Sequence, residues 1–417
     1  MTNLGRKLMP PAEVLTDKDL QMDMPVSPSY AQTRAHAPLA SWPAVATVGI
    51  GAFALVTTEF LPVGLLPQIA AEIGISEGQA GLMVTTPGVL AAIAAPLTIG
   101  LAGRFDRKHV LVFLLGLLVL SNAIVAMATS FQALMFGRVL LGIGVGGFWT
   151  IGGSLGPRLR PGAEGGRATS LIYSGVSLGT VAGVPAGALV GNLLGWRLSF
   201  GLASGVAIFV VAALLLLLPS IKPQQSSGLA QIPAVLRNRK TQVGLLAAVL
   251  IFIGQFAGYT YITPFLNQVS HIDAAVLSAL LLGYGIAGFI GNLFGGWAVG
   301  RNLRLSLSGT AALISLSTFG LTITGDSALA ATIWTLTWGF GFGMLPIAMQ
   351  TFMFTSAPDK LESVAALFVS TAQLAIGAGA LVGGLAVDHF GVASALVIGG
   401  VAALLTALLV GAPTGKR

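Results

Sequence analysis

The sequence contains no cysteine and few charged residues. Only 8% of its 417 residues are Asp, Glu, Lys or Arg, whereas soluble proteins carry about 25%. The absence of cysteine excludes disulfides, zinc–thiolate sites, iron–sulfur clusters and cysteine nucleophiles. With 55% apolar residues and a mean hydropathy of +0.88, the composition also excludes a water-soluble globular protein of this length.

In place of charge, the sequence has apolar runs of about 20 residues, the length of a helix that crosses a bilayer. Backbone groups in hydrocarbon need internal hydrogen bonds, so these runs predict helices and an all-α integral membrane protein. The twelve predicted spans cover residues 43–67, 79–102, 109–129, 132–156, 170–191, 198–218, 242–265, 276–299, 305–324, 328–350, 364–386 and 391–410.

The positions of the basic residues test this topology. If both termini are cytoplasmic, the tails and the five inner loops contain every Lys and Arg except Arg138 and Arg197. This asymmetry follows the positive-inside rule. The net charge of +7 is therefore explained by membrane orientation, and we expect no nucleic-acid partner.

An internal repeat divides the chain into two halves of six helices. The sequence GRxxR at residues 103–107 recurs at 300–304, and GxGxG at 142–146 recurs at 339–343, both 197 residues later. Two halves with the same orientation form a parallel repeat, as in some secondary transporters. The expected organisation is a flexible cytoplasmic tail (1–40), a first half (41–218), a cytoplasmic linker (219–241), a second half (242–410) and a short tail (411–417).

Two motifs that suggest an enzyme are better explained by helix packing. GxGxxG at 142–147 and GxSxG at 152–156 match a dinucleotide fingerprint and a hydrolase elbow, but both need a preceding strand. Here they lie in one apolar run, where small residues let helices approach closely. The sequence has no phosphate-binding loop, and its four His lie in the tail and loops. We therefore expect no ATP, cofactor or metal.

Two ionisable residues lie deep in the predicted spans, Glu59 in the first and Arg138 in the fourth. At 1.5 Å per residue, both lie about 10–12 Å below the outer surface. Because intramembrane charges usually have a partner, these two are expected to pair. The pair either fixes helix packing or alternates between a paired and a protonated state. The equivalent positions of the second half, near Gln255 and Thr335, are uncharged, so proton chemistry is expected in the first half.

Aromatic and amide side chains at membrane depth can stack on, and hydrogen-bond to, a flat polar ligand. On the seventh and tenth spans they recur four residues apart and so share helix faces. The candidate substrate-binding residues are Gln255, Phe256, Tyr259, Trp334, Trp338, Trp149, Tyr284, Asn292 and Gln373. For each of them taken singly, ordinary packing is the alternative.

From Trp42 to Val410 the sequence resembles the major facilitator superfamily. TEFLPV at residues 58–63, Arg138-x-x-x-Gly142 and Gly183-x-Pro185-x-Gly187 resemble motifs of its twelve-helix drug/proton antiporters. Within these it is similar to the branch that includes sugar (arabinose) and purine ribonucleoside efflux proteins. The resemblance implies two six-helix halves rocking about a midplane site, and it links Arg138 to proton transfer.

The resemblance also implies a function. It points to a monomeric, proton-coupled antiporter of the inner membrane, surrounded by lipid, that exports a purine nucleoside, sugar or drug. Glu59 and Arg138 would couple protons to transport. Uptake by symport stays open as an alternative. A membrane-embedded enzyme would need a second acid, a His or a metal cluster at depth, and the sequence lacks these.

Gating is expected to involve the inner loops and the fifth span. Gly103 stands where the family has its gate-locking Asp, so Asp106 would replace it, or Arg104 and Arg107 would act on helix C-termini. The expected gating residues are Arg104, Asp106, Arg107, Arg301, Arg304, Gly183, Pro185 and Gly187.

Overall fold

A computed structural model describes residues 40–101, 105–153, 155–161, 164–222 and 232–412. Within these ranges the chain is helical without strands, and twelve helices are long and apolar enough to cross a membrane. Spans 1 to 6 are Trp42–Ile73, Glu77–Leu101, Arg107–Ala126, Phe131–Gly152, Gly165–Leu194 and Trp196–Leu217. Spans 7 to 12 are Arg239–Thr260, Ala274–Arg301, Leu303–Thr324, Ala328–Phe354, Leu361–Phe390 and Ala393–Gly411. All twelve predicted spans are confirmed as helices, although several of their ends differ.

Three shorter α-helices connect or extend the spans in the part of the chain that the structure describes. They are Gly156–Leu159 after span 4, Ile232–Leu236 before span 7 and Ile262–Gln268, which continues span 7. We call the end of the bundle where span 1 begins the near end, and the opposite end the far end. Since the number of spans is even, span 12 finishes at the near end.

The helix register repeats at the spacing seen in the sequence. Spans 1 and 7 begin 197 residues apart, at Trp42 and Arg239, and so do spans 2 and 8, at Glu77 and Ala274. Spans 4 and 10, and spans 6 and 12, keep the same interval. Residues separated by 197 positions therefore occupy equivalent places in the two halves.

A proline explains one difference between the predicted and the observed spans. A proline lacks the N–H that would bond the carbonyl four residues earlier. Because Pro264 cannot donate to the Thr260 carbonyl, span 7 ends at Thr260. The sequence predicted a continuous span to residue 265, and that prediction is wrong. Span 1 instead continues through Pro62 and Pro67 and ends before Gly74, which has the left-handed φ of 73°.

Close helix packing accounts for the glycine motifs. A Cβ on Gly183 would overlap Thr57 of span 1, and one on Gly187 would overlap Leu61. Span 5 therefore packs tightly on span 1 around a π-helical turn, Gly179–Gly183, with Pro185 buried directly after it. In the GxGxxG sequence, Gly142 similarly approaches the backbone of span 2 at Pro87, and Gly144 approaches that of span 3 at Leu114.

Candidate functional site

Glu59 lies where the two halves of the bundle meet. Its side chain is only 3% exposed. A carboxylate oxygen accepts a hydrogen bond of 3.3 Å from Nε2 of Gln373 on span 11. An acid of the first half is thus joined to an amide of the second half.

Arg138 is wholly buried, and its guanidinium donates to three backbone carbonyls. Nε donates to Met83 at 2.6 Å, Nη1 to Thr58 at 2.9 Å and Nη2 to Glu59 at 2.8 Å. In the part of the chain that the structure describes, no Arg138 nitrogen lies within 4 Å of the Glu59 carboxylate. This corrects the expected side-chain ion pair. The two residues meet through the backbone of Glu59, whose carbonyl accepts from Nη2 of Arg138.

Five rings of the second half form one cluster, which we call the aromatic cluster: Phe256, Tyr259, Tyr284, Trp338 and Phe342. The two tyrosines stack with their centroids 4.8 Å apart. Phe342 lies nearly parallel to both at 6.2–6.3 Å, and Trp338 meets both edge-on at 6.2 Å. Such offset and edge-to-face arrangements are the favoured geometries of aromatic pairs.

Gln255 braces this cluster. Its Oε1 accepts from Nε1 of Trp338 at 2.7 Å, and its Nε2 donates to the Tyr284 hydroxyl at 2.9 Å. Gln255 is fully buried. The structure therefore gives this predicted substrate residue two bonds that orient the rings.

Phe60 connects Glu59 to the aromatic cluster. Its ring stacks on that of Phe256, with centroids 5.2 Å apart and an interplanar angle of 20°. Phe60 and Phe342 are only partly buried. Phe60 is not among the residues predicted from the sequence, although its position directly after Glu59 was an available signal. We call Glu59, Phe60, Gln373, Gln255 and the aromatic cluster the central site.

Three predicted substrate residues make their described contacts elsewhere. Trp334 packs over Gly320 of span 9 and donates to Thr324 at 3.0 Å, since span 9 covers that turn of the helix. Trp149 lies against Tyr173 of span 5, at a centroid distance of 5.7 Å. Asn292 donates to the Gly343 carbonyl of span 10 at 3.3 Å.

Asp106 makes its contacts with the start of span 3 and with the beginning of the linker after span 6. It begins span 3 by accepting from the Lys108 N–H at 2.8 Å, and it also accepts from the Ile221 N–H at 3.1 Å and from the Ser220 hydroxyl. Partial burial raises the pKa of this carboxyl, but these bonds outweigh burial and hold the pKa below its ordinary value. Asp106 therefore ties span 3 to the segment after span 6.

The structure also describes three of the expected gating arginines. The Arg107 N–H donates to the Ile221 carbonyl at 3.0 Å. The Arg301 guanidinium lies 3.9 Å over the Trp297 ring, and Arg304 is exposed at the start of span 9. Arg104 lies outside the described residues.

The two halves are joined at the far end by a set of polar contacts, which we call the far-end latch. Asp388 of span 11 accepts from the Ser76 hydroxyl at 2.7 Å and from the Gly78 N–H at 3.0 Å. Gln268 donates to Glu77 at 2.8 Å. The first N–H groups of a helix have no partner within it and favour negative charge, so Asp388 caps span 2 from the opposite half.

Close backbone approaches between the halves continue below the latch. Gly88 of span 2 meets Gly377 of span 11, and Gly285 of span 8 meets Val181 of span 5. Nearer to the near end, span 2 exposes Ile93 and Leu97. The structure is thus closed at the far end, above the central site.

Comparison with known proteins identifies this architecture. The sequence profile of the Major Facilitator Superfamily matches residues 48–380. The chain belongs to the major facilitator superfamily. The crystal structure of the human organic anion transporter MFSD10 (TETRAN) has the same fold, with a TM-score of 0.66 and 18% identity. The match covers 88% of this chain and 99% of that one.

Similar curated sequences are efflux proteins of the same superfamily. The Purine ribonucleoside efflux pump NepI of Salmonella enteritidis and that of Salmonella typhimurium are each 35% identical to this chain. The similarity extends over 372 residues, 89% of this chain and 94% of each pump. The chain is therefore a multi-pass membrane transporter and not an enzyme, and the predicted twelve-helix fold is confirmed.

Proposed function

We propose that this transporter is a proton-coupled antiporter that exports a flat, uncharged, polar solute of the purine nucleoside class. The observation that carries the proposal is the central site, in which an acid of the first half bonds to Gln373 of the second half and the adjacent Phe60 stacks on a cluster of five rings. The name of the Salmonella relatives supports the same class of solute.

The rings suit a planar heterocycle. Phe60 of the first half and Phe342 of the cluster are both partly buried, so a base can stack on either ring. The Gln373 amide supplies hydrogen-bonding groups beside Glu59. A site of this kind combines a mostly apolar lining with a few oriented polar groups.

Glu59 is the proposed proton carrier. In the closed far-end state its carboxylate bonds to Gln373 across the two halves. We propose that a proton taken up from the far side weakens this bond and favours solute release there. Loss of that proton to the near side restores the bond and permits loading. The proton and the solute then use the same site in alternation.

We further propose that the protein lies in the inner membrane with both termini cytoplasmic, so that the far end faces outward. The Cys-free chain allows a direct test. Asp326, in the far-end loop between spans 9 and 10, and Asp359, in the near-end loop between spans 10 and 11, are both exposed. In intact cells, an impermeant thiol reagent should label Asp326→Cys and spare Asp359→Cys. The reverse pattern would refute the orientation.

The function itself is tested in liposomes that contain the purified protein. An imposed pH gradient should drive accumulation of radiolabelled inosine in the compartment that supplies protons. Arabinose and a cationic dye serve as comparison solutes and should accumulate less. Inosine moving in the same direction as protons would identify a symporter, and no response to the gradient would refute proton coupling.

A further inference from the structure

Two of the three carbonyls that accept from Arg138 lie four residues before a proline. Thr58 lies four residues before Pro62 in span 1, and Met83 lies four residues before Pro87 in span 2. In a regular helix each of these carbonyls would accept from the residue four positions later. Because that residue is proline, neither carbonyl has its helical donor.

A carbonyl without a donor is costly at membrane depth, where water is scarce. The guanidinium has five N–H donors in a rigid plane, enough to serve several acceptors at once. Arg138 supplies one donor to each proline-freed carbonyl, Nη1 to Thr58 and Nε to Met83. It also holds the Glu59 carbonyl through Nη2. A single side chain thus supplies the missing donor at one turn of each of two neighbouring helices.

The second half provides an internal comparison. At the interval of 197 residues, Arg138 corresponds to Thr335, Pro62 to Tyr259 and Pro87 to Tyr284. The half that lacks the arginine therefore lacks both prolines as well. Each tyrosine has the backbone N–H that proline lacks, so spans 7 and 8 need no outside donor at these turns.

We propose that Arg138 is a positioning residue whose guanidinium replaces the two N–H groups missing at Pro62 and Pro87. It links spans 1 and 2 and fixes the turn that carries Glu59, so that the carboxylate points to Gln373. The hydrogen-bonding role is independent of the proposed function. Only its consequence for Glu59 rests on proton coupling.

The decisive experiment restores the missing donors. Arg138→Met removes all the donors of the side chain and leaves the two proline-freed carbonyls, Thr58 and Met83, unpaired, so the apparent Tm should fall by about 5 °C or more. Adding Pro62→Ala and Pro87→Ala returns an N–H to each helix, and the triple variant should recover at least half of that loss. If Arg138→Met does not fold, the same test is recovery of a monodisperse peak by the triple variant.

Two other prolines of the same spans give a matched control. Pro67 and Pro96 lie four residues after Val63 and Ala92, whose carbonyls are not among the acceptors of Arg138. Arg138→Met combined with Pro67→Ala and Pro96→Ala should therefore remain as unstable as Arg138→Met alone. Equal recovery in the two triple variants, or recovery in neither, would overturn the proposal.

A second readout separates positioning from a direct role in proton transfer. Inosine binding to the Pro62→Ala, Pro87→Ala, Arg138→Met variant should show the wild-type pH profile, because Glu59 is again held by an intact helix. The triple variant could instead recover the wild-type Tm while the pH profile of inosine binding stays shifted. That result would show that the charge of Arg138 itself acts on the proton, and it would overturn the positioning role. If the wild-type protein showed no pH-driven transport, the proposed function would fail while the stability test still stood.

Discussion

The two halves of the bundle share their helix register but not their chemistry. The first half buries an acid, a guanidinium and two prolines about its centre, whereas equivalent positions of the second half hold Phe256, Thr335, Tyr259 and Tyr284. The repeat therefore fixes which positions face the centre of the bundle. The residue types at those positions differ, and we propose proton exchange for the first half and solute stacking for the second.

The largest expected effect tests the acid of the first half. Glu59→Gln keeps the shape of the side chain and its hydrogen bonding but cannot titrate. It should abolish inosine accumulation driven by a pH gradient while retaining inosine binding, which should no longer vary with pH. Both properties can be measured in liposomes and by calorimetry.

Glu72→Gln is the matched control for this substitution. Glu72 lies on the same span, where it accepts from Trp196 at 2.7 Å and pairs with Arg197. This variant should retain pH-driven accumulation. Uphill export by Glu59→Gln at the wild-type rate would remove Glu59 from the coupling mechanism.

The next effect tests the rings of the second half. Tyr259→Ala and Trp338→Ala should each weaken inosine binding about fivefold or more, since stacking of one base contributes roughly 1–3 kcal/mol. Circular dichroism would show whether folding is intact. Trp334→Ala is the control, because that ring packs against span 9, and its affinity should be unchanged. If all three variants bound inosine with the wild-type affinity, the aromatic cluster would have only a packing role.

The far-end latch tests the interface between the halves. Asp388→Ala removes the cap that span 11 gives to span 2, a loss of about 1 kcal/mol or roughly fivefold in the ratio of open to closed states. Spin labels at Thr129→Cys and Asp326→Cys lie at exposed positions on different halves. In the Asp388→Ala variant, a larger share of the molecules should show the longer distance between the two labels, which corresponds to an open far end. An unchanged distance distribution would show that the latch does not hold the far end closed.

The smallest effect compares two equivalent helix starts. Asp106 caps span 3 and Asn302 caps span 9, at 2.8 and 3.0 Å. Each substitution to Ala should lower the free energy of unfolding by about 1 kcal/mol at neutral pH. The pKa of Asp106 is lower in the folded state than in the unfolded chain. The stability that its carboxylate contributes is therefore present above the ordinary pKa and is lost as the pH falls through the folded pKa.

Thermal unfolding at neutral pH and at about pH 3 distinguishes the two caps. The cost of Asp106→Ala should shrink in acid, while that of Asn302→Ala should stay constant, since Asn does not titrate. Equal pH dependence in both variants would show that the charge of Asp106 does not matter for its cap.

The sequence by itself determined the features that depend on local composition. The lengths of the apolar runs gave twelve spans, and the repeated motifs gave the 197-residue interval. Counting residues along each helix also placed Glu59 and Arg138 at matching depth, and the Arg138 contacts with the Thr58 and Glu59 carbonyls confirm it. These inferences succeed because hydrophobicity and helical rise act along the chain, whatever the neighbours are.

Only the tertiary structure decided which groups meet. The sequence placed Glu59 opposite Arg138, but the carboxylate reaches Gln373 on a distant span, and the guanidinium binds backbone carbonyls. Likewise, Phe60 lies in the central site although it was not predicted there, and the predicted Trp334 contacts span 9 instead. Rotation about a helix axis determines these partners, and that rotation is set by packing against helices far away in the sequence.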